Sequence, residues 1–309
     1  MSAPPEPLLV VCGPTGAGKS ALAMRLTERH PVTILSADSR QIYRGFDVGT
    51  AKPSREERAR VPHRGVDVAD PMERWSAACW ADDAGRWIAE ARAAGRTPVV
   101  VGGTGLYIRA LVEPIAEAPA LDPARRAALA AFLDGLSPAE LRRWCTALDP
   151  AKAALGRAQQ LRAVETALLA GRRLGDLHAA APRATRHAAR YLVVDPGVER
   201  LRAWIAARAR AMLGAGWPDE VRRLRASVPP DAPAWRTTGY ATVGRLVDGA
   251  LGVAEAAEAI AIETRQYAKR QRTWFRHQLG DGSVARVDPT DPGADALVER
   301  WWHGEEEAR

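Results

Sequence analysis

The chain has 309 residues, of which 47% are hydrophobic and 26% are charged, a composition typical of a globular protein with one large or two modest domains. It contains no run of about 18 apolar residues and no basic, signal-like N-terminus, so we expect a cytoplasmic protein without a membrane span. The net charge of +7 is compatible with a nucleic-acid partner. Cys12, Cys79 and Cys145 are too scattered for a zinc site or a disulfide framework, and we expect them to be small buried side chains.

Short apolar runs and helical stretches alternate through the first hundred residues. Apolar runs that end at glycine or aspartate predict buried strands over residues 8–12, 32–37 and 98–101. Apolar residues at helical spacing predict helices over residues 20–30 and 75–94. This alternation predicts an α/β protein with a doubly wound, mostly parallel sheet. With the phosphate-binding motif described below, it predicts a P-loop NTPase-like core. In such sheets, ligands bind beyond the carboxyl ends of the strands.

The character of the sequence changes near residue 114 and becomes rich in Ala, Arg and Leu. We predict helices over residues 122–133, 137–147 and 158–170, then a strand over 191–194 and helices over 198–213, 218–226 and 253–278. Residues 121–190 carry 12 Lys and Arg against 6 Asp and Glu. The prediction is a catalytic α/β core made of residues 1–115 and 191–309, with basic C-terminal helices and a basic helical insertion domain over residues 116–190.

A complete phosphate-binding motif, G-x-x-x-x-G-K-[ST], follows the first predicted strand and precedes the first predicted helix. Its glycines let backbone N–H groups surround phosphate oxygens, and the helix N-terminus adds partial positive charge. Lys19 would place a charge on the terminal phosphate, and the Ser20 hydroxyl could bind Mg²⁺. The motif comprises Gly13, Pro14, Thr15, Gly16, Ala17, Gly18, Lys19 and Ser20. It identifies a phosphate site but does not say which molecule carries the phosphate.

Two further polar segments end predicted strands. Asp38 ends the second strand, where a carboxylate could bind Mg²⁺, act as a general base or cap the following turn. Thr104 follows the glycine pair that ends the third strand. Its hydroxyl could bond a diphosphate oxygen or belong to a plain strand-to-helix turn. The residues alone leave these alternatives open.

Several longer segments carry a family resemblance. The phosphate-binding motif is accompanied by three segments: SADSRQIYRGFDVGTAKP at 36–53, PHRGVDVADP at 62–71 and VGGTGLY at 101–107. Three more follow in the C-terminal part of the chain: RAMLGAGWPDEV at 210–221, RTTGY at 236–240 and TRQYAKRQRTWFR at 264–276. Together they resemble the bacterial tRNA dimethylallyltransferase family over nearly the whole chain. The resemblance implies transfer of a dimethylallyl group from dimethylallyl diphosphate to N6 of adenosine 37 in tRNAs that read codons beginning with U. Diphosphate is the leaving group.

The resemblance also implies roles for individual residues. Asp38 would be the general base that accepts the N6 proton, while Lys19, Thr104 and Mg²⁺ would hold and stabilise the leaving diphosphate. Arg208 stands where the family pattern has an arginine, and it is a candidate diphosphate contact that could equally lie on a solvated helix face. The adenine must leave its stack to reach a catalytic group. We therefore expect tRNA and dimethylallyl diphosphate as partners, Mg²⁺ as the cofactor, no membrane association and a monomer.

The tRNA contacts implied by the resemblance are spread along the chain. The segment after the second strand would lie beside the extruded base, while the insertion, the Arg236 region and the basic C-terminal helix would bind the RNA backbone. The implied contacts are Asp38, Ser39, Arg40, Gln41, Thr104, Arg126, Gln159, Gln160, Arg162, Arg236, Gly239, Tyr240, Lys269, Arg270, Gln271, Trp274 and Arg276. Trp274 could stack on a base or pack in the core. Residues 154–162 depart from the family pattern, because they lack its usual Asn-Asp pair.

Three other functions compete with this interpretation. A P-loop kinase of a small metabolite would need neither the basic insertion nor the basic C-terminal helix. An adenylate isopentenyltransferase, which modifies a free nucleotide, would lack much of the same RNA-binding surface. An RNA-binding module with a degenerate nucleotide site would not need Lys19, Ser20, Asp38 and Thr104 together.

Overall fold

The chain folds into two compact units. The computed structural model describes residues 6–113, 115, 119, 121–180, 186–279 and 284–305. One unit combines the N-terminal part of the chain, up to Val112, with the part from His187 onward, and the other comprises Glu113–Arg186. The predicted insertion, residues 116–190, begins three residues after the start of the second unit and ends four residues after its end. Its predicted end falls inside a strand that begins at Ala189.

The first unit is built on a six-stranded sheet formed by its described residues. The strands are β1 (Leu8–Cys12), β2 (Val32–Ala37), β3 (His63–Arg64), β4 (Thr97–Gly102), β5 (Ala189–Val194) and β6 (Val284–Val287). All neighbouring strands are parallel, in the order β3-β2-β4-β1-β5-β6. The predicted α/β class with a mostly parallel sheet is confirmed. The predicted strands at 8–12, 32–37, 98–101 and 191–194 are present, with ends shifted by two residues or fewer.

Continuous apolar runs explain why the central strands could be predicted. Every residue of β1 and β2 is buried, as expected for parallel strands covered by helices. β3 and β6 were not predicted. β3 has two residues, too few for any periodicity, and β6 is a four-residue segment with an arginine in it that pairs with β5.

Thirteen helices are present in the described part of the chain. They are α1 (Lys19–Leu26), α2 (Arg55–Arg60), α3 (Ala77–Ala93), α4 (Gly105–Val112), α5 (Pro123–Asp134), α6 (Pro138–Leu148), α7 (Arg157–Ala170), α8 (Leu174–Ala180), α9 (Val198–Gly214), α10 (Trp217–Arg225), α11 (Tyr240–Val247), α12 (Val253–Gln278) and α13 (Ala294–His303). α12 matches its prediction residue for residue, whereas α1 ends four residues before its predicted end at 30. α2, α4, α8, α11 and α13 were not predicted. None of these helices is long and apolar enough to cross a bilayer.

The second unit has its own core, formed by α5 to α8. Leu133, Leu141, Cys145 and Val164 are at its centre and are almost fully buried. Helix α6 starts with a capping box, in which the Ser137 hydroxyl accepts a backbone N–H and its own N–H donates to a glutamate one turn on. The predicted helices at 137–147 and 158–170 agree with α6 and α7 to within one residue at each end.

The cysteines are not all buried. Cys12 lies in β1 and Cys145 in α6, both inside the protein, whereas Cys79 is exposed on α3. Helix α3 turns residues such as Trp80 and Ala81 towards the core, so the neighbouring position 79 faces solvent. The expectation of burial was wrong for Cys79.

Candidate active site

Three strands of the sheet end at the same level. β4 pairs with both of its neighbours, so that Gly102 lies opposite Cys12 of β1 and Ala37 of β2. The loops that follow these strands therefore leave the sheet side by side at its carboxyl edge. They carry the phosphate-binding loop (residues 13–20), Asp38 and Thr104, which the sequence predicted would lie together.

The phosphate-binding loop has the backbone conformation of an anion site. Gly16 and Gly18 have φ angles of 81° and 91°, which glycine adopts without strain. Gly18 is the N-cap residue of α1 and has no side chain with which to cap it. The first N–H groups of α1 are therefore available to an anion. The Lys19 ammonium donates to the Pro14 carbonyl at 2.7 Å and so lies over the loop.

Two cations and one carboxylate come together above this loop. Burial lowers the pKa of Lys19 to about 8, with Asp38 acting against the shift and Arg208 adding to it. Desolvation also lowers the pKa of Arg208, again against the effect of Asp38. Because Arg208 is exposed overall, its desolvation is partial and its guanidinium stays charged. A desolvated ammonium beside a guanidinium favours binding of a strongly charged anion.

Asp38 uses one oxygen for its own turn. Its Oδ1 accepts the Arg40 N–H at 2.9 Å, which closes the turn after β2. The described residues provide no hydrogen bond to Oδ2. The turn-capping and general-base roles left open by the sequence are therefore compatible, because one oxygen shapes the turn while the other can accept a proton.

Thr104 ties its own loop to the Asp38 loop. Its hydroxyl oxygen accepts the Ser39 N–H at 3.0 Å, and its N–H donates to the Ala37 carbonyl at 3.1 Å. The Tyr267 side chain on α12 lies next to Thr104, and burial together with the nearby Asp38 charge raises the pKa of this tyrosine. Sequence reasoning missed Tyr267. Its helical spacing from other site residues on α12 is the signal that could have found it.

Asp38, Arg208 and Tyr267 line one cleft in the first unit. Its polar lining includes Thr15, Asp38, Arg40, Thr50, Arg208, Thr237, Thr238, Thr264 and Tyr267, its apolar lining consists of Ile205, Ala209, Met212, Trp217 and Ile260, and Gly16 and Gly49 complete it. A ligand with one anionic part and one apolar part matches such a lining.

A buried carboxylate that the sequence did not reveal shapes one wall of the cleft. Glu220 on α10 is 1% exposed. Its Oε2 accepts the N–H groups of Asp47 and Val48 at 2.9 and 2.6 Å, and its Oε1 accepts the Gly49 N–H at 3.2 Å and the Tyr240 hydroxyl at 2.6 Å. Four donors compensate the buried charge and hold the loop that contributes Gly49 to the cleft.

Gln41 was predicted to contact RNA, but its amide is engaged inside the protein. The side-chain Nε2 donates to the carbonyls of Thr50 and Ala51 at 3.2 and 3.1 Å. Its Oε1 accepts the Ser36 hydroxyl at 2.9 Å. Both amide hydrogens are thus used to hold the loop after β2, and the RNA contact of this residue stays a prediction.

Gln271 is a second glutamine that is used internally. It is 7% exposed, its Oε1 accepts the Thr15 N–H at 2.8 Å, and its Nε2 donates to the Gly103 carbonyl at 2.8 Å. The side chain therefore joins the phosphate-binding loop to the Thr104 loop. Its predicted contact with RNA stays a prediction.

The Arg236 region is also more buried than predicted. Gly239 is buried and donates its N–H to Glu263 at 3.1 Å. Tyr240 is 1% exposed and donates its hydroxyl to Glu220. Their polar groups are satisfied within the first unit, and their predicted RNA contacts stay predictions. Arg236 is exposed and remains a candidate.

In the second unit, the predicted RNA contacts differ in accessibility. Arg126 and Arg162 both pair with Glu165, at 3.1 and 3.6 Å, and Gln159 is exposed. Gln160 is 4% exposed and donates to a backbone carbonyl of the same unit at 2.7 Å. Its amide lies in the interior of the second unit, and its predicted RNA contact stays a prediction.

The basic residues of α12 lie on two faces. The Arg270 guanidinium is 5.7 Å from the ring centroid of Tyr267, next to the cleft, and the half-buried Trp274 packs against the start of α4. Lys269 and Arg276 instead line a separate groove between α9 and α12. The predicted basic stripe is therefore divided between the cleft side and the α9 side of the helix.

A parallel sheet with a phosphate-binding loop after its first strand, and a cleft lined by cations and apolar side chains, define a P-loop-type α/β protein. The family model described as IPP transferase matches residues 41–278, and that described as isopentenyl transferase matches residues 7–63. A curated tRNA dimethylallyltransferase of Anaeromyxobacter sp. (strain K) is 44% identical, over 94% of this chain and 97% of the relative. One of Deinococcus radiodurans is 39% identical, over 97% and 98%.

Solved structures agree with this assignment. The full-length tRNA isopentenylpyrophosphate transferase of Bacillus halodurans is 30% identical and covers 97% of both chains, with a TM-score of 0.67. A eukaryotic dimethylallyltransferase shares the fold, with a TM-score of 0.77 at 20% identity. The chain belongs to the tRNA dimethylallyltransferase (IPP transferase) family and is an enzyme of the prenyltransferase class.

The lowered pKa of Lys19 makes diphosphate binding depend on pH. Above pH 8 the free protein loses the Lys19 proton, and a bound anion restores it by favouring the charged form. We expect the affinity for inorganic pyrophosphate to fall by up to about tenfold per pH unit above this point, with proton uptake on binding. Calorimetry in buffers of different ionisation enthalpy measures both quantities. Lys152→Gln should behave like the wild type, and equal proton uptake by Lys19→Gln would contradict the assignment.

Glu220→Gln should destabilise the first unit. The substitution removes a buried charge that accepts four hydrogen bonds and turns an NH₂ group towards N–H or O–H donors. We expect a loss of about 2–4 kcal/mol in the free energy of unfolding, measured by urea denaturation. Glu199→Gln is the matched control, because that side chain is 85% exposed and should change stability little. Equal stability of the two variants would show that the Glu220 contacts contribute little.

Proposed function

We propose that this enzyme transfers the dimethylallyl group of dimethylallyl diphosphate to N6 of adenosine 37 in tRNAs that read codons beginning with U. The observation that carries the proposal is the cleft, where Asp38 and Arg208 line one part, the charge of Lys19 interacts with both, and Ile205, Ala209, Met212, Trp217 and Ile260 add an apolar part. This lining suits a donor with a diphosphate and a short hydrocarbon tail next to a general base. The curated relatives are named tRNA dimethylallyltransferases, which supports a dimethylallyl donor and a tRNA acceptor.

The donor's diphosphate is assigned to the phosphate-binding loop. When the C1–O bond breaks, the electron pair leaves with the bridging oxygen and negative charge grows on the diphosphate. Lys19, Arg208 and the N-terminus of α1 place fixed positive charge there before the reaction begins. Because the allylic carbon can carry positive charge, stabilising the leaving group lowers a large part of the barrier.

The nucleophile is the exocyclic amine of an extruded adenine. Its lone pair is delocalised into the ring, so it attacks C1 effectively only if its proton is removed as the N6–C1 bond forms. Asp38 Oδ2 is the acceptor in this scheme, since Oδ1 is already bonded to the Arg40 N–H. The products are the prenylated base and diphosphate, and the proton is left on Asp38. Thr104 holds the turn on which Asp38 stands.

Mg²⁺ is the proposed cofactor. The described residues contain no group of three or more His, Cys, Asp or Glu side chains that could hold a metal ion by themselves. A metal would therefore depend on oxygen ligands from the donor, to which the exposed Ser20 hydroxyl can add one. This ligand set suits Mg²⁺, which when bound would neutralise charge on the leaving diphosphate.

The accessible basic residues support a tRNA acceptor. Adenosine 37 must be turned out of the anticodon loop to reach Asp38, and cations near the cleft would hold the flanking phosphates. Arg40 lines the cleft, and Arg270 and Arg236 are exposed in the same unit. In the second unit, Arg126, Gln159 and Arg162 are accessible candidates for contacts farther along the RNA.

The decisive experiment is an assay for a prenylated nucleoside. The chain is incubated with dimethylallyl diphosphate, Mg²⁺ and unmodified tRNA, and the digested RNA is examined by mass spectrometry. We expect the mass of dimethylallyladenosine at position 37. Prenylation of free AMP in place of tRNA would indicate an adenylate isopentenyltransferase, and ATP turnover with no prenyl transfer would indicate a kinase.

Asp38→Asn should abolish transfer while leaving tRNA binding largely intact. Asparagine keeps the oxygen that closes the turn but cannot accept the N6 proton, so turnover should fall by about 10²-fold or more. Single-turnover assays and filter binding measure the two effects separately. Asp231→Asn, at an exposed loop position, is the control and should retain wild-type turnover. Wild-type turnover by Asp38→Asn would exclude Asp38 as the base.

Neutralising Lys269 and Arg270 should weaken tRNA binding and reduce its salt dependence. Removing one cation that binds a phosphate should lower the slope of log affinity against log salt by about 1. Because the two residues lie on different faces of α12, the single variants Lys269→Gln and Arg270→Gln show which face binds RNA. Arg86→Gln removes the same charge from α3 and should leave the slope unchanged. If both α12 variants also keep the wild-type slope, the RNA site lies elsewhere.

A further inference from the structure

Helix α9 runs from the anionic part of the cleft to its apolar part. Ile205, Arg208, Ala209 and Met212 recur at helical spacing and all line the cleft. Ile205 packs beside Gly16 of the phosphate-binding loop. Met212 lies seven residues further on, about 10 Å along the helix axis. The distance from the phosphate-binding loop therefore increases along α9 towards Met212.

The apolar part ends at the corner where α9 stops and α10 begins. Trp217, the first residue of α10, is 1% exposed, and its ring meets that of Tyr240 at 73° with centroids 5.4 Å apart. A Cβ atom at either Gly49 or Gly239 would overlap the indole, so the side chain fills the space that these two glycines leave. Trp217 is therefore a fixed wall, held on several sides.

Met212 is the adjustable part of the same wall. It is half-buried, and its unbranched side chain can extend into the cleft and occupy space that a smaller residue would leave open. Beyond Arg208, the side chains that α9 contributes to the cleft, Ala209 and Met212, have no strong hydrogen-bonding group. This part of the cleft suits hydrocarbon better than adenine, whose ring nitrogens and amine need polar partners.

We propose that Met212 and Trp217 together set the length of the donor tail, so that the enzyme takes a five-carbon allylic diphosphate and rejects longer ones. The inference rests on the proposed function and adds the feature that selects the donor. With its diphosphate on the phosphate-binding loop, a dimethylallyl tail ends in front of Met212. The second isoprene unit of geranyl diphosphate would have to occupy the volume of the Met212 side chain. Apolar walls discriminate by size in this way, by roughly 10–200-fold per misfitting methylene.

A graded series at Met212 tests the proposal. Wild type, Met212→Val and Met212→Ala are assayed with tRNA, Mg²⁺ and either dimethylallyl or geranyl diphosphate, and kcat/KM is measured for each donor. We expect the geranyl-to-dimethylallyl ratio to rise by about tenfold or more in Met212→Ala, and by less in Met212→Val. Met24→Ala is the matched control, because Met24 is equally half-buried on α1 but lies outside the cleft, and its ratio should equal that of the wild type.

The outcomes separate this proposal from the function on which it rests. If both Met212 variants still transfer dimethylallyl but keep the wild-type ratio, the proposed tail limit is wrong. Equal use of both donors by the wild type would overturn it as well. A wild-type chain that transfers neither donor to tRNA would overturn the proposed function and this inference with it. If Met212→Ala does not fold, the conservative Met212→Val variant decides the question by the direction of its ratio.

Discussion

Hydrogen bonding of β4 to β1 on one side and β2 on the other fixes the level at which three loops leave the sheet. A Cβ at Gly102 would overlap the Ala37 carbonyl, so the backbones approach too closely there for any side chain. Gly102 therefore has to stay opposite Ala37, which helps to fix the register of β4 on β2. Because of this register, the phosphate-binding loop and Asp38 are neighbours in space, although 18 residues separate Lys19 from Asp38 along the chain.

The loop between β2 and α2 has little secondary structure and still forms a wall of the cleft. Buried charges hold it. The Lys52 side chain is 2% exposed and its ammonium donates to the Tyr43 carbonyl at 2.6 Å, to Asp47 at 2.7 Å and to Asp67 at 2.5 Å. Glu220 on α10 accepts two backbone N–H groups of the same loop. Fully partnered buried charges are costly to disrupt, which gives a long loop the rigidity that electrostatic catalysis requires.

Local sequence signals predicted the parts of the site that are local in sequence. The phosphate-binding loop, Asp38 and Thr104 each follow an apolar strand, so their place at the carboxyl edge could be deduced without the structure. Contacts between distant residues could not be deduced in this way. Gln271 meets Thr15 across 256 residues of chain, and a polar residue on a basic helix gives no sign of such a buried partner. Glu220 was missed for the same reason, since its four donors come from other elements.

Helix α12 shows how one element can serve both halves of the proposed reaction. On one face, Gln271 bridges the phosphate-binding loop and the Thr104 loop, and Tyr267, one turn earlier, lies next to Thr104 beside Asp38. Arg270 lies between these two positions in sequence and meets the Tyr267 ring, so a cation that could hold RNA is about one helical turn from the tyrosine beside Asp38. The position of this cation beside the cleft supports a polyanionic acceptor more strongly than the net charge of the chain does.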